Sequence, residues 1–107
     1  MKPTQKLDAQ FSALGDPTRR AIVERLARGE ATVGELAAPH DITLPAISKH
    51  ITVLENAGLV TRWRDGRVHK CKLERDALRA TDAWLDRTRA HWEKSLDRLE
   101  RMFEEER

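Results

Sequence analysis

Residues 32–58 read TVGELAAPHDITLPAISKHITVLENAG, and nearly every break in that run is dictated by local side-chain chemistry. Thr32 and Glu35 make the T-x-x-E capping box that opens a helix, with Leu36 and Ala37 beginning its apolar face. Pro39 stops that helix within two turns, and His40-Asp41 carry the chain round. Thr43 caps a second helix, whose first turn tolerates Pro45 because the amides there have no intrahelical acceptor. Gly58 ends it, being the residue most at ease in the left-handed conformation beyond a helix end. Two short helices joined by a tight turn leave the chain few alternatives here.

The second of these helices has two faces. Ile47, Ile51 and Leu54 recur at i, i+4 and i+7, a stripe that packs against a neighbouring helix. Pro45, Ser48, Lys49 and Thr52 fall on the other side, with Ala46 and His50 at its margins. Small, donor-bearing and cationic residues of this kind approach a base edge or a phosphate closely. Taken alone, the pattern is equally that of a solvated helix face. The next segment of the chain decides between the two.

Leu59-Val60 start a strand, Asp65-Gly66 supply a tight hairpin turn, and Val68 to Leu73 return. The whole chain carries a net charge of only +2. Residues 62–72, however, hold five cations (Arg62, Arg64, Arg67, Lys70, Lys72) against the single acid Asp65. Residues 93–107 hold six acids and four cations, so the tail is acidic. Arginines on either side of a hairpin tip suit a minor groove or its flanking phosphates. Charge on a hairpin also blocks edge pairing, but behind a capped helix pair the DNA reading is favoured. The contact set it implies is Thr32, Thr43, Pro45, Ala46, Ser48, Lys49, His50, Thr52, Arg62, Arg64, Arg67 and Lys70.

The remaining segments read as helices. Leu7, Phe11 and Leu14 share one face of a first helix, preceded by polar residues 1–6 expected to be loose. Asp16-Pro17 pairs an N-cap acid with proline at the first helical position, and that helix ends at Gly29. From about Asp76 the pattern is helical to the end. Leu78, Leu85, Trp92 and Leu99 stand seven apart, with Leu96 and Phe103 between and Trp84 and Met102 widening the seam. An intramolecular core helix would explain part of that seam. A domain of 107 residues hides only part of so long an apolar edge, however, so a homodimer is expected. Its interface would comprise Leu7, Phe11, Leu78, Trp84, Leu85, Trp92, Leu96, Leu99 and Phe103.

In its order of motifs the chain resembles the ArsR/SmtB-type winged helix-turn-helix transcriptional regulators. The resemblance runs from about Leu7 to Phe103 and rests on ALGDPTRRAIVERLARGE (13–30), TVGELA (32–37), LPAISKHITVLENAGLV (44–60) and RDGR (64–67). It implies a mainly α fold with a small β-hairpin wing and a long C-terminal dimerisation helix. It also implies a single domain over 1–107, reading DNA through about 32–73 and dimerising through about 5–14 and 76–106. Thr43 to His50 would lie in the major groove, and Arg64 and Arg67 on the backbone or in the minor groove. The implied function is repression by occluding a pseudo-palindromic operator in double-stranded DNA, in the cytoplasm; the sequence names no small-molecule effector.

Many such regulators sense metals, and here the sequence departs from the pattern. Thiolate-type sensors carry a Cys-x-Cys-like pair where this chain has Val33, Gly34 and Glu35. Another group uses an Asp-x-His and a His-x-x-Glu/His in the last helix, where this chain has Asp82, Trp84, Ser95 and Arg98. The expectation is therefore no cofactor and no metal, and the tryptophan-rich WLDRTRAHWEKSLDRLE (84–100) resembles a metal-independent branch. His69 and Cys71 share a strand face, which keeps a metal- or thiol-responsive sensor as an alternative. Two ligands fall short of zinc's usual four, however, and a buried thiol is the plainer reading. A protein-interaction module with vestigial DNA binding is the other alternative. An enzyme is not expected: Ser48 and His50 diverge on their helix, and no glycine-rich phosphate loop is present. No secretory leader or membrane span is read, and one cysteine excludes an internal disulfide.

Overall fold

A computed structural model describes the backbone of residues 3–105 and the side chains of residues 5–105. Its order is α1 (Pro3–Ala13), α2 (Pro17–Leu26), β1 (Ala31–Thr32), α3 (Val33–Ala37), a 3₁₀ turn (Ala38–His40), α4 (Leu44–Asn56), β2 (Val60–Asp65), β3 (Val68–Leu73) and α5 (Arg75–Glu105). The fold is the expected one: mostly helical, with a helix-turn-helix, a wing and a long last helix. Residues 3–6, expected to be loose, are instead the first turn of α1. The last residue of the expected dimerisation segment, Glu106, lies outside the described residues.

The predicted caps form. Asp16 accepts from the Arg19 amide at 3.0 Å, and that bond holds its carboxyl below the usual carboxylate range. The Thr32 hydroxyl accepts from Glu35 N at 3.1 Å, while Thr32 N donates to the Glu35 carboxylate at 3.2 Å. Thr43 accepts from Ala46 N at 3.2 Å. Gly58 has φ +77° and completes a Schellman closure: Leu59 N bonds Leu54 O at 3.0 Å and Gly58 N bonds Glu55 O at 2.9 Å. This closure turns the chain from α4 directly into β2.

The sheet has three strands in the order β1-β3-β2, all antiparallel. β1 is too short to show any alternation, and the sequence pattern gives no sign of it. Asp65 pairs with Val68, so the hairpin loop is Gly66-Arg67 rather than Asp65-Gly66. Gly66, at φ +64°, takes the left-handed first loop position. Moving both loop boundaries by one residue keeps every side chain on its expected face.

The core centres on α4. Ile47, Ile51 and Leu54 have no accessible surface, and they meet Ile22 and Leu26 of α2, Leu36 of α3, and Val60 and Cys71 of the sheet. α5 joins this body through its first turns, where Ala77 and Leu78 pack on the core. Farther along, the buried Thr81 hydroxyl donates to Gln10 of α1, and Trp84 meets Phe11 edge to face at 5.2 Å. Beyond that point α5 leaves the body, and the molecule is 68 Å long but only 32 by 21 Å across. No helix among the described residues is long and apolar enough to cross a membrane.

Because Ile51 sits where three layers converge, Ile51→Ala is expected to cost about 2–5 kcal/mol. The measurement is urea unfolding, and the fall should come from the midpoint with the slope unchanged.

Candidate nucleic-acid interface

The capped N-terminal end of α4, the start of α3 and the wing enclose one open groove of about 670 Å³. Pro45 and Ser48 line it from α4, Thr32 from the end of β1, Gly34 from α3, and Arg62 and Arg67 from the hairpin. A Cβ added at Gly34 would meet only the Thr32 hydroxyl, at 3.9 Å. Packing within the chain therefore does not require glycine there.

The cations of this surface divide into two groups. Lys49, Arg64 and Arg67 are exposed and make no ion pair or side-chain hydrogen bond among the described residues. Arg62 is different: its guanidinium donates to Ser48 Oγ at 2.8 Å and Thr52 Oγ1 at 3.2 Å, and pairs with Glu55 at 2.9 Å. It fastens the sheet to α4 and is not a free phosphate contact.

Three further residues of the expected contact set are placed differently. Lys70 sits opposite Trp63, on the sheet face away from Arg62 and Arg64, and pairs with Asp65 at 3.0 Å, which raises its pKa. His50 turns to the junction of α1 and α2, with Nδ1 3.8 Å from Asp16 and 3.4 Å from Arg19 Nη1. Thr52 gives its proton to the Ser48 carbonyl at 3.0 Å. Pro45 and Ser48 line the groove from α4, Ala46 beside them is half-buried, and Thr32 and Thr43 use their hydroxyls as caps. Glu55, which sequence reasoning missed, lies one turn beyond Ile51; only contact with the distant Arg62 shows its role.

A helix-turn-helix whose second helix is flanked by an antiparallel wing is the geometry, and comparison gives the lineage. The family model described as a helix-turn-helix domain matches residues 14–62. An HTH-type transcriptional regulator of Mycobacterium tuberculosis is 39% identical over 99 residues, covering 92% of this chain and 90% of that protein. The crystal structure of an ArsR family transcriptional regulator matches with a TM-score of 0.77 at 46% identity, covering 84% of this chain and 93% of the other. The chain belongs to the ArsR/SmtB-type transcriptional regulators. A further relative, the transcriptional repressor SdpR of Bacillus subtilis, is 33% identical over 70% of this chain and 83% of its own length. The ArsR/SmtB-type fold and family are those of DNA-binding regulators, not of enzymes.

In this ArsR/SmtB-type chain, no group of three or more His, Cys, Asp or Glu side chains converges as a metal-ligand set among the described residues. Cys71 is fully buried while His69 is exposed, so the pair that sequence spacing brought together is split by depth. Burial pushes the Cys71 thiol up to about 11. The thiolate is the reactive form, so its fraction near neutral pH is cut about a hundredfold relative to an ordinary cysteine. With Ellman's reagent at pH 8, the folded protein is expected to react at least that much more slowly than the chain unfolded in guanidinium. Comparable rates would restore Cys71 as a sensor residue.

Proposed function

We propose that this chain is a homodimeric, sequence-specific DNA-binding repressor that occludes its operator and needs no metal. One observation carries the reading. Pro45 and Ser48 of α4 and the unpaired cation Arg67 line a single groove open to solvent, and Lys49 and Arg64, on the same two elements, are exposed and unpaired among the described residues. Unpaired guanidinium groups at a hairpin tip are suited to phosphates or a narrow minor groove, and a helix presenting Pro45, Ala46, Ser48 and Lys49 fits a major groove. Repression as the direction of control is supported by the repressor function of the Bacillus subtilis relative. The reading puts the protein in the cytoplasm, with the DNA it binds. The absence of metal from the mechanism rests on Val33, Gly34 and Glu35, and on Trp84, Ser95 and Arg98, where sensors place ligands.

Dimerisation is argued from α5. Trp92, Leu96, Leu99, Met102 and Phe103 are each at least half exposed, on a helix whose only fully buried residue is Thr81. An apolar seam of that length at heptad spacing packs well against a second helix. Leu85, Trp84 and Phe11 continue it toward α1, and Leu7 is half-buried nearby. Leu78 already packs on the chain's own core and has less to give a partner. Two copies related by a two-fold axis would present their α4 helices about one DNA turn, roughly 34–36 Å, apart, which calls for a pseudo-palindromic operator.

Arg64→Ala with Arg67→Ala is expected to weaken binding to every duplex. The slope of log affinity against log salt should fall by about one unit for each phosphate that the two arginines neutralise. An unchanged slope in a fluorescence-anisotropy salt titration would remove the wing from the interface. Leu99→Glu is expected to give a monomer by light scattering, with the far-ultraviolet circular dichroism of α1–α4 kept and operator affinity abolished. A dimer that persists in that variant would place the self-contact elsewhere.

A further inference from the structure

The outer face of α4 is part of a hydrogen-bond pattern whose polarity is set by proton counting. A hydroxyl offers one proton and two lone pairs, whereas a guanidinium offers only protons and stays charged at any working pH. Thr52 gives its proton to the Ser48 carbonyl and one lone pair to Arg62 Nη2. Ser48 Oγ gives one lone pair to Arg62 Nη1 at 2.8 Å. Its own proton has no acceptor among the described residues. Arg62 cannot accept it, and no bond joins the Ser48 and Thr52 hydroxyls. Glu55, at 2.9 Å from Arg62 Nη2, anchors the guanidinium from the far side.

A serine in a major groove ordinarily reads either kind of base edge, because its hydroxyl rotates to donate or accept. Here the cation beside Ser48 Oγ occupies a lone pair and repels any incoming amine hydrogen. We infer that Arg62 is a specificity-determining residue that fixes Ser48 as a hydrogen-bond donor, so that the base beneath Ser48 is selected for a major-groove acceptor: N7 or O6 of guanine, N7 of adenine, or O4 of thymine. The exocyclic amine of cytosine is selected against. The inference rests on α4 entering the major groove, and it assigns Arg62 a role that counting its charge as a phosphate contact would miss.

The test is selection of binding sites from a randomised duplex pool by the full-length protein and three variants. Wild type is expected to enrich an acceptor base at one position per half-site, and Ser48→Ala to lose that preference while keeping the others. Arg62→Met, which keeps the aliphatic stem without the donors, is expected to cut the preference from about fivefold, the worth of one net hydrogen bond, to below twofold. Arg62→Lys retains a charged donor and should keep it. The salt slope should stay at the wild-type value in all three.

Retention of the full preference in Arg62→Met would overturn the inference, as would a salt slope reduced by one unit, which would make Arg62 a phosphate contact. Should Arg62→Met not fold, base analogues on the wild type decide, each chosen to remove the acceptor in use: 7-deazaadenine for adenine, 7-deazaguanine (N7) or 6-thioguanine (O6) for guanine, or 5-methyl-2-pyrimidinone for thymine. Their cost should be about fivefold for wild type and absent for Ser48→Ala; equal costs would overturn the inference. A wild type that enriches no site at all would instead overturn the DNA-binding reading beneath it. Enrichment of sites with no position dependent on Ser48 would overturn this inference alone.

Discussion

Burial of Ile47, Ile51 and Leu54 is the constraint on which the rest of the molecule depends. Each fully buried side chain of this size contributes about 1.5–3 kcal/mol, so rotating α4 about its axis to expose the stripe would remove most of the stability of a small domain. A fixed inner stripe fixes the outer face too, since 100° per residue leaves no freedom between them. Pro45, Ser48 and Lys49 therefore point outward because the isoleucines point inward. The Schellman closure at Gly58 then starts β2 against the end of α4. Two residues past Val60, the strand delivers Arg62 to Ser48, about two turns back from the end of the helix.

What was legible in the sequence was local. Asp16, Thr32, Glu35, Thr43 and Gly58 act within five residues of themselves, so their roles follow from spacing alone. The α4 stripe and the α5 heptads are likewise one-element patterns. The hairpin was half legible: Asp65-Gly66 signals a turn, but the pairing of Val60 with Leu73 and Arg62 with Cys71 across the core face sets the register. That register moves the loop on by one residue. β1 has two residues and draws its identity from β3, so nothing in its own sequence announces it. Arg62, His50 and Lys70 look in the sequence like free cations or a groove-edge residue because their partners, Glu55, Asp16 and Asp65, are found only by folding.

Charge counting overstates the wing for the same reason. Of the five cations in residues 62–72, Arg62 is committed to α4 and Lys70 to Asp65. Lys72 lies opposite Thr61, on the sheet face away from Arg62 and Arg64. Arg64 and Arg67 remain for a phosphate backbone, with Lys49 from the helix. The surface thus has few free charges and several held ones, an arrangement that favours geometric selectivity over bulk attraction. A chain with a net charge of +2 gains little long-range steering, so its discrimination has to come from the fit of α4 and the wing.

The joint between the reading body and α5 has a different character from the core. Past Leu78 its directional contacts are the Gln10–Thr81 hydrogen bond and one aromatic edge contact, and the Gln10 amide nitrogen is buried with no partner among the described residues. The α1–α2 corner beside it is also polar: Arg19 donates to Ala13 O at 2.6 Å and Ser12 O at 3.3 Å, while Arg20 donates to Leu14 O at 2.8 Å. His50 of α4 leans on this corner through Arg19 and Asp16. Directional bonds define an angle more sharply than apolar packing, but each contributes only about 1 kcal/mol net. In the proposed dimer the distance between two α4 helices is transmitted through this joint. Its angle is therefore well defined but inexpensive to change, whereas the geometry within each reading body, built on the buried isoleucines, is not.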